Sequence, residues 1–328
     1  VKHLLITGGC GFIGHHVVEH FLKNTGWQIS VIDALTYASN GFDRVRDIQA
    51  FDDRRCRFYA ADLAHPVSIG VVDELGPVDY IFHMAAETHV DRSVSDPMRF
   101  VVSNVVGTCN ALEMARKVQP KLFLYFSTDE VFGPAFRGID YREWDRYASA
   151  NPYAATKAGG EELTLAYGNT YGLPVAITHT MNCFGERQHP EKYIPMCIRK
   201  ILAGETITVH ADKTKTVPGC RSYIHCRNVA QALHFLTERF EPGDKYNIVG
   251  EHEINNLDLA LYIGTVLGRR VKYELVDFHS SRPGHDLRYS LSGRKMQDMG
   301  WQPPVGFFDS LTKTVEWTVN NERWLNAV

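Results

Sequence analysis

The run KHLLITGGCGFIGHHVVEHFL constrains this chain more than any other stretch. A short apolar segment ends at Thr7, a glycine-rich turn follows, and Ile13, Val17, Val18 and Phe21 then recur at helical spacing. The reading is strand, turn, helix. Gly8, Gly11 and Gly14 form G-x-x-G-x-x-G, a spacing that makes a tight turn, leaves bare backbone for a pyrophosphate and lets helix pack closely on strand. The free N–H groups at the helix start, around Phe12 and Ile13, are placed to carry phosphate. About twenty residues on, as a dinucleotide-binding unit requires, WQISVIDALTYASN supplies a second apolar strand ending in Asp33. An acid there can bind both ribose hydroxyls of an adenosine and would repel a 2'-phosphate, so NAD is expected rather than NADP.

Two further apolar runs extend the pattern. CRFYAADL ends at Asp62, which is either near an adenine or a helix cap. VDYIFHMAAETHVDRS passes through Ala85 and Ala86, small enough to let a cofactor lie against the sheet edge. Strands alternating with amphipathic helices predict an α/β fold, a doubly wound parallel Rossmann sheet with a smaller C-terminal substrate-binding lobe. Residues 1–181 and about 222–250 are expected in the NAD-binding domain, the latter as a strand, a helix and a further strand. Residues 182–221 and 251–328 are expected in the lobe.

Composition narrows the function. A chain of 328 residues, 44% hydrophobic, can bury a large core. Its 35 basic and 38 acidic residues are well mixed, which gives no footprint for nucleic acid or an anionic membrane. Small-molecule chemistry is the expectation. Seven scattered cysteines without C-x-x-C spacing argue against a metal site and for reduced thiols. No segment approaches the ~20 apolar residues of a membrane span, so a soluble cytoplasmic protein is expected.

The chemistry is concentrated in two stretches. FSTDEVFG follows the apolar KLFLYF and sets Asp129 and Glu130 beside Thr128 at a strand end, where open α/β sheets keep their ligands. NPYAATKAGGEE then places Tyr153 and Lys157 four apart, on one face of a helix. A tyrosine serves as a base near neutrality only when its phenolate is stabilised, and a lysine one turn away supplies that charge.

With these stretches the sequence resembles the extended short-chain dehydrogenase/reductases. GGCGFIG, DALTYASN, AAETHVDRS, STDEVFG, NPYAATKAGGEE, HPEKYIP and RPGHDLRY together are similar to the dTDP-glucose 4,6-dehydratases among them. The resemblance implies that Thr128, Tyr153 and Lys157 remove a proton from a sugar hydroxyl while NAD oxidises the same carbon. It implies further that Glu130 takes the C5 proton and that Asp129 protonates the departing C6 oxygen. For the nucleotide sugar it implies Asn182, Glu191, Lys192, Arg221, Asn256, Arg282 and His285, with arginine suited to grip two phosphate oxygens. It also implies a homodimer built through the helices near Met98 and Tyr153.

The sequence departs from the family pattern twice. Arg221-Ser222-Tyr223 stands where R-D-W is usual, and Asn182-Cys183-Phe184-Gly185 where N-N-Y-G is usual. Thymidine, uridine, cytidine and guanosine diphosphate sugars therefore all stay open, thymidine first. A 4-epimerase or a decarboxylase of the same superfamily would share the NAD fingerprint and the Tyr–Lys pair, and a silent NAD-binding module would share the fold. The double acid favours the dehydratase.

Overall fold

The computed structural model describes residues 1–136, 138–278 and 287–326. Along the first half, strands β1 (His3–Thr7), β2 (Gln28–Asp33), β3 (Cys56–Ala60), β4 (Tyr80–His83), β5 (Leu122–Thr128) and β6 (Val175–Thr180) alternate with helices. The longer of these are α1 (Phe12–Asn24), α2 (Gly107–Val118) and α3 (Pro152–Tyr171). Beyond β6 come β7 (Asn182–Phe184), α4 (Tyr193–Ala203), β8 (Thr206–Ala211), β9 (Cys220–His225), α5 (Cys226–Leu236), β10 (Asp244–Ile248) and β11 (Glu253–Asn255). Then come α6 (Asn256–Val266), β12 (Lys272–Asp277) and, after a short helix at Arg294–Asp298, α7 (Phe307–Val319), with a last helical turn at Glu322–Trp324.

Seven parallel strands form one sheet in the order β10-β6-β5-β4-β1-β2-β3. The order reverses between β1 and β4, the topological switch point at which such sheets open a ligand crevice. Interior strand β5 is buried along its whole length, LFLYFST, as a strand covered on both faces must be. Leu4, Ile6, Val17, Phe21, Val229 and Leu233 make the core on one face, where α1 packs on α5. Leu5, Ile81, Leu112, Phe123, Tyr125 and Ile177 make it on the other, under α2 and α3.

The remaining strands build the lobe: β7, β9 and β11 form one small sheet, β8 and β12 another. Phe184, Ile198, Ile207, Leu259, Ile263 and Leu311 fill its own core. The segment from Ser222, expected to re-enter the main sheet with its first strand, instead pairs β9 with β7 and β11. Re-entry comes at β10, beside β6. An apolar run shows only that a strand is covered, and β9 satisfies that by lying over Phe184 and Phe307 rather than in the large sheet.

Candidate active site

Two glycines shape the crevice. Gly8 has φ +73, and a Cβ there would stand 2.8 Å from the Ala85 backbone. A Cβ at Gly14 would stand 2.2 Å from the Gly8 carbonyl. The turn is therefore pressed against both β4 and α1, and its backbone is left bare toward the cleft at the start of α1. Asp33, at the end of β2, accepts from Cys10 N (2.9 Å) and Leu35 N (2.8 Å), which fixes its carboxylate against the glycine turn. Burial raises its pKa, with the two backbone N–H groups working against the rise. Asp62 is exposed and caps its own turn by accepting from Ala64 N at 2.9 Å, yet it also borders the cleft.

One cleft of about 880 Å³ runs from this turn across the strand ends to the lobe. Gly8, Gly11, Phe12, Ile13, Gly14, Asp33, Asp62, Ala85 and Ala86 line its first half. Thr128, Asp129, Glu130, Tyr153 and Lys157 line its middle, and Asn182, Glu191, Lys192, Arg221 and Asn256 its far end. All these residues, picked from sequence, are thus brought to one space. Arg282 and His285 lie outside the described residues.

Local structure explains the middle. β5 stops at Thr128, whose hydroxyl accepts from Glu130 N and caps the single helical turn Asp129–Phe132. Gly133, at φ +76, ends that turn. The same Thr128 hydroxyl donates to Asp129 Oδ1 at 3.0 Å. Asp129 Oδ2 is buried and has no hydrogen-bond partner among the described residues. Burial pushes the Asp129 carboxyl up to about 6. Burial and then the Asp129 charge push Glu130 to about 7. Both values lie close to neutrality, and the charge on Asp129 opposes ionisation of Glu130. Each acid accepts one side-chain hydrogen bond that favours its carboxylate: Asp129 Oδ1 from Thr128, and Glu130 Oε2 from Asn151 Nδ2 at 2.9 Å.

Asn151 and Pro152 open α3 as an N-cap followed by proline at the first helical position, and Gly172 closes it in the left-handed region. The helix buries Tyr153 and Lys157 against β5. Lys157 Nζ donates to the Phe126 carbonyl at 2.6 Å and lies 4.3 Å from the centre of the Tyr125 ring. Burial lowers its pKa to about 7. Burial and the Glu130 charge raise that of Tyr153, against a hydrogen bond with Thr128.

At the far end, Glu191 faces the Arg92 guanidinium (3.4 Å) and the imidazoles of His89 (3.6 Å) and His189 (3.6 Å), whose pKa values burial lowers. Arg221 donates from one nitrogen to the carbonyls of Cys220 and Leu287, both at 2.7 Å, and lies over the Tyr289 ring. Asn256 accepts from Tyr223 (3.1 Å) on its side chain and from Tyr193 (2.7 Å) on its backbone. Of the departures from the family pattern, Cys183 and Tyr223 line the cleft, whereas Phe184 and Ser222 are packed inside.

Two residues escaped the sequence reading. Asn151 was signalled by its place before a proline and a helix. Asn104, inside the π-helical turn Val101–Val106, donates to the Glu87 carbonyl and to Thr156, both at 3.0 Å, and accepts from Glu87 N. It ties the loop after β4 to the Tyr153 helix, and its only signal was one amide within the apolar run VVSNVV.

A cleft at the switch point of a doubly wound sheet, with a bare glycine turn at one end and a Tyr–Lys helix at its centre, defines a Rossmann-type protein of the short-chain dehydrogenase/reductase class. The chain belongs to the NAD dependent epimerase/dehydratase family, whose pattern matches residues 4–249. It is similar to dTDP-glucose 4,6-dehydratase of Escherichia coli, 35% identical over 99% of this chain and 96% of that protein. It is 34% identical to a trifunctional UDP-glucose 4,6-dehydratase of Arabidopsis thaliana, over 100% of this chain and 48% of that one. Among solved structures, dTDP-glucose 4,6-dehydratase of Streptomyces venezuelae with NAD and TYD bound superimposes with a TM-score of 0.87 at 35% identity, covering 98% of both chains.

Proposed function

We propose that this chain is an NAD-dependent nucleotide-sugar 4,6-dehydratase, converting an NDP-hexose, dTDP-glucose first, into a 4-keto-6-deoxy sugar. The observation that carries the reading is the pair Asp129–Glu130, a buried and a half-buried acid beside Thr128 on the cleft wall, with Asp129 Oδ2 left without a hydrogen-bond partner among the described residues. A 4-epimerase needs only a ketone and a turning sugar, and has no work for two such acids.

The glycine turn, Asp33 and the start of α1 fit a dinucleotide. NAD, when bound there, supplies oxidation at C4 and the later reduction at C6. Tyr153 takes the proton of the C4 hydroxyl at its phenolic oxygen, with Thr128 orienting that hydroxyl and Lys157 stabilising the phenolate. A C4 ketone acidifies the C5 hydrogen, and Glu130 accepts that proton. Asp129 gives its proton to the C6 oxygen, which leaves as water. Arg221, Lys192, Glu191, Asn182 and Asn256 hold the nucleotide sugar, and the departures at Cys183 and Tyr223 bear on which base is taken.

In this reading the cofactor half comprises residues 1–181 with α5 and β10, and the rest forms the nucleotide-sugar lobe. Met98, Val102 and Val106, exposed apolar residues at four-residue spacing, support a homodimer. Seven unbonded thiols support residence in the cytoplasm. Among the described residues, no helix is long and apolar enough to cross a membrane.

The test is incubation of purified protein with dTDP-glucose and then its UDP, CDP and GDP analogues, following the 4-keto sugar by absorbance in alkali. Product is expected from at least one. Inverted C4 or released carbon dioxide, with no keto sugar from any hexose, would overturn the proposal.

A further inference from the structure

Behind the site lies a charged cluster that the reaction does not touch. Glu161, one turn beyond Lys157 on α3, is fully buried. One of its oxygens accepts from Ser127, the residue before Thr128 on β5. The other accepts from Tyr147 and faces His179 of β6 at 3.1 Å and Lys245 of β10 at 3.5 Å. Lys245 in turn donates to Tyr147. The far nitrogen of His179 meets Asn247 Oδ1 at 2.9 Å, and that amide spends its own N–H groups on the carbonyls of Tyr141 and Ser292. His179 therefore has an acceptor oxygen at both ring nitrogens. Four separate segments converge on one carboxylate, an arrangement too costly to bury unless the charge is kept. Burial pushes Glu161 up, but His179, Lys245 and Ser127 outweigh it and hold its carboxyl below the usual range.

We propose that Glu161 is a positioning residue for the Tyr153–Lys157 pair: its fixed carboxylate anchors the end of β5 through Ser127 and holds a negative charge one helical turn from the buried Lys157 amine. Lys157 has few other charges near it. From α3, Glu161 stands one turn on; from β5 come the Tyr125 ring and the Phe126 carbonyl; from β4, His83, a buried neutral ring. Glu161 is the anion among these, and it opposes the burial that drives Lys157 toward neutrality. Around Glu161 itself stand Ser127, Tyr125, Tyr147, His179 and Lys245, with Glu162 beside Tyr147.

The role of Lys157 rests on the proposed function, but its protonation can be read without turnover. In cofactor-free protein, the rate at which acetic anhydride acylates Lys157, followed by peptide mass spectrometry from pH 5 to pH 9, reports the fraction of neutral amine. Glu161→Gln is expected to move the midpoint down by about one pH unit, the effect of removing an opposite charge at this range. Glu161→Asp is expected to restore most of it. A midpoint equal to that of the parental protein would overturn the proposal, whatever the enzyme's activity. Ser127→Ala keeps the charge and cuts the anchor. It is expected to leave the midpoint unmoved and to lower kcat about tenfold at unchanged KM, and if Glu161→Gln does not fold, parental kcat in Ser127→Ala overturns the proposal. Absence of turnover by the parental protein would count against the dehydratase reading and leave the labelling result standing.

Discussion

At the scale of single residues, the acids carry opposite demands of stability and chemistry. Asp129 and Glu130 have folded-state values of about 6 and about 7, above their ordinary 3.8 and 4.5. A raised carboxyl binds its proton more tightly when folded, so its contribution to stability is complete below about pH 4 and is lost as pH rises through 6 to 7. Asp129→Asn with Glu130→Gln should therefore raise the melting temperature at pH 8 and change it little at pH 4. A gain of roughly 3 kcal/mol for each acid at the higher pH is the expected order. The same double variant should still allow bound NAD to be reduced by substrate, seen at 340 nm, while elimination of water falls ~10²–10⁴-fold. Water loss at the parental rate would remove both acids from the mechanism. Tyr153→Phe should act one step earlier, slowing NAD reduction itself by ~10²–10⁴-fold. These positions were legible in the sequence because a strand end and a four-residue helical spacing are local features.

The element that organises the site is α3. Its N-cap, Asn151, accepts from Ala154 N at 2.8 Å and donates to Glu130, so one amide starts the helix and steadies an acid. Asn151→Ala should cost ~1 kcal/mol through the cap, measured by denaturant unfolding. It also removes a bond that lowers the Glu130 pKa. With the donor gone, the acid limb of the pH profile for water loss should move to higher pH. An unshifted limb would show that the bond does not govern Glu130. The ends of α3 could be read from NP and G. That its cap reaches a strand-end acid could not, since capping rules concern the helix's own N–H groups.

Across the whole molecule, the part built on the seven-stranded sheet and the part built on the smaller sheets are joined by a buried cation. Arg44, 1% exposed, donates to the carbonyls of Ala38 (2.7 Å) and Ser39 (2.7 Å) beside the cleft, and to that of Arg187 (3.0 Å) beyond β7. Arg187 and Arg323 both pair with Asp47, which extends the tie to the C-terminal segment. Replacing Arg44 with alanine strands three carbonyls and opens a cavity, so a loss of roughly 3 kcal/mol or more is expected, read as a lower melting temperature. Weaker retention of NAD on gel filtration should accompany it, because Ala38 and Ser39 line the cleft. Unchanged stability would mean that the carbonyls find water. Nothing around Asp43-Arg44-Val45 in the sequence marked that arginine as interior.

By itself the sequence determined the elements and the chemistry they display: the glycine turn, the acid ending β2, the paired acids ending β5, and the Tyr–Lys face of a helix. Each is a pattern within a few residues, set by backbone geometry and side-chain period. Only the tertiary structure decided that β9 leaves the main sheet, that Asp129 keeps one bare oxygen, and that Glu161 collects His179, Lys245 and Tyr147 behind Lys157. Those outcomes follow from which distant segments become neighbours, and from the water they exclude when they do. Desolvation and pairing act through space, so no local period records them.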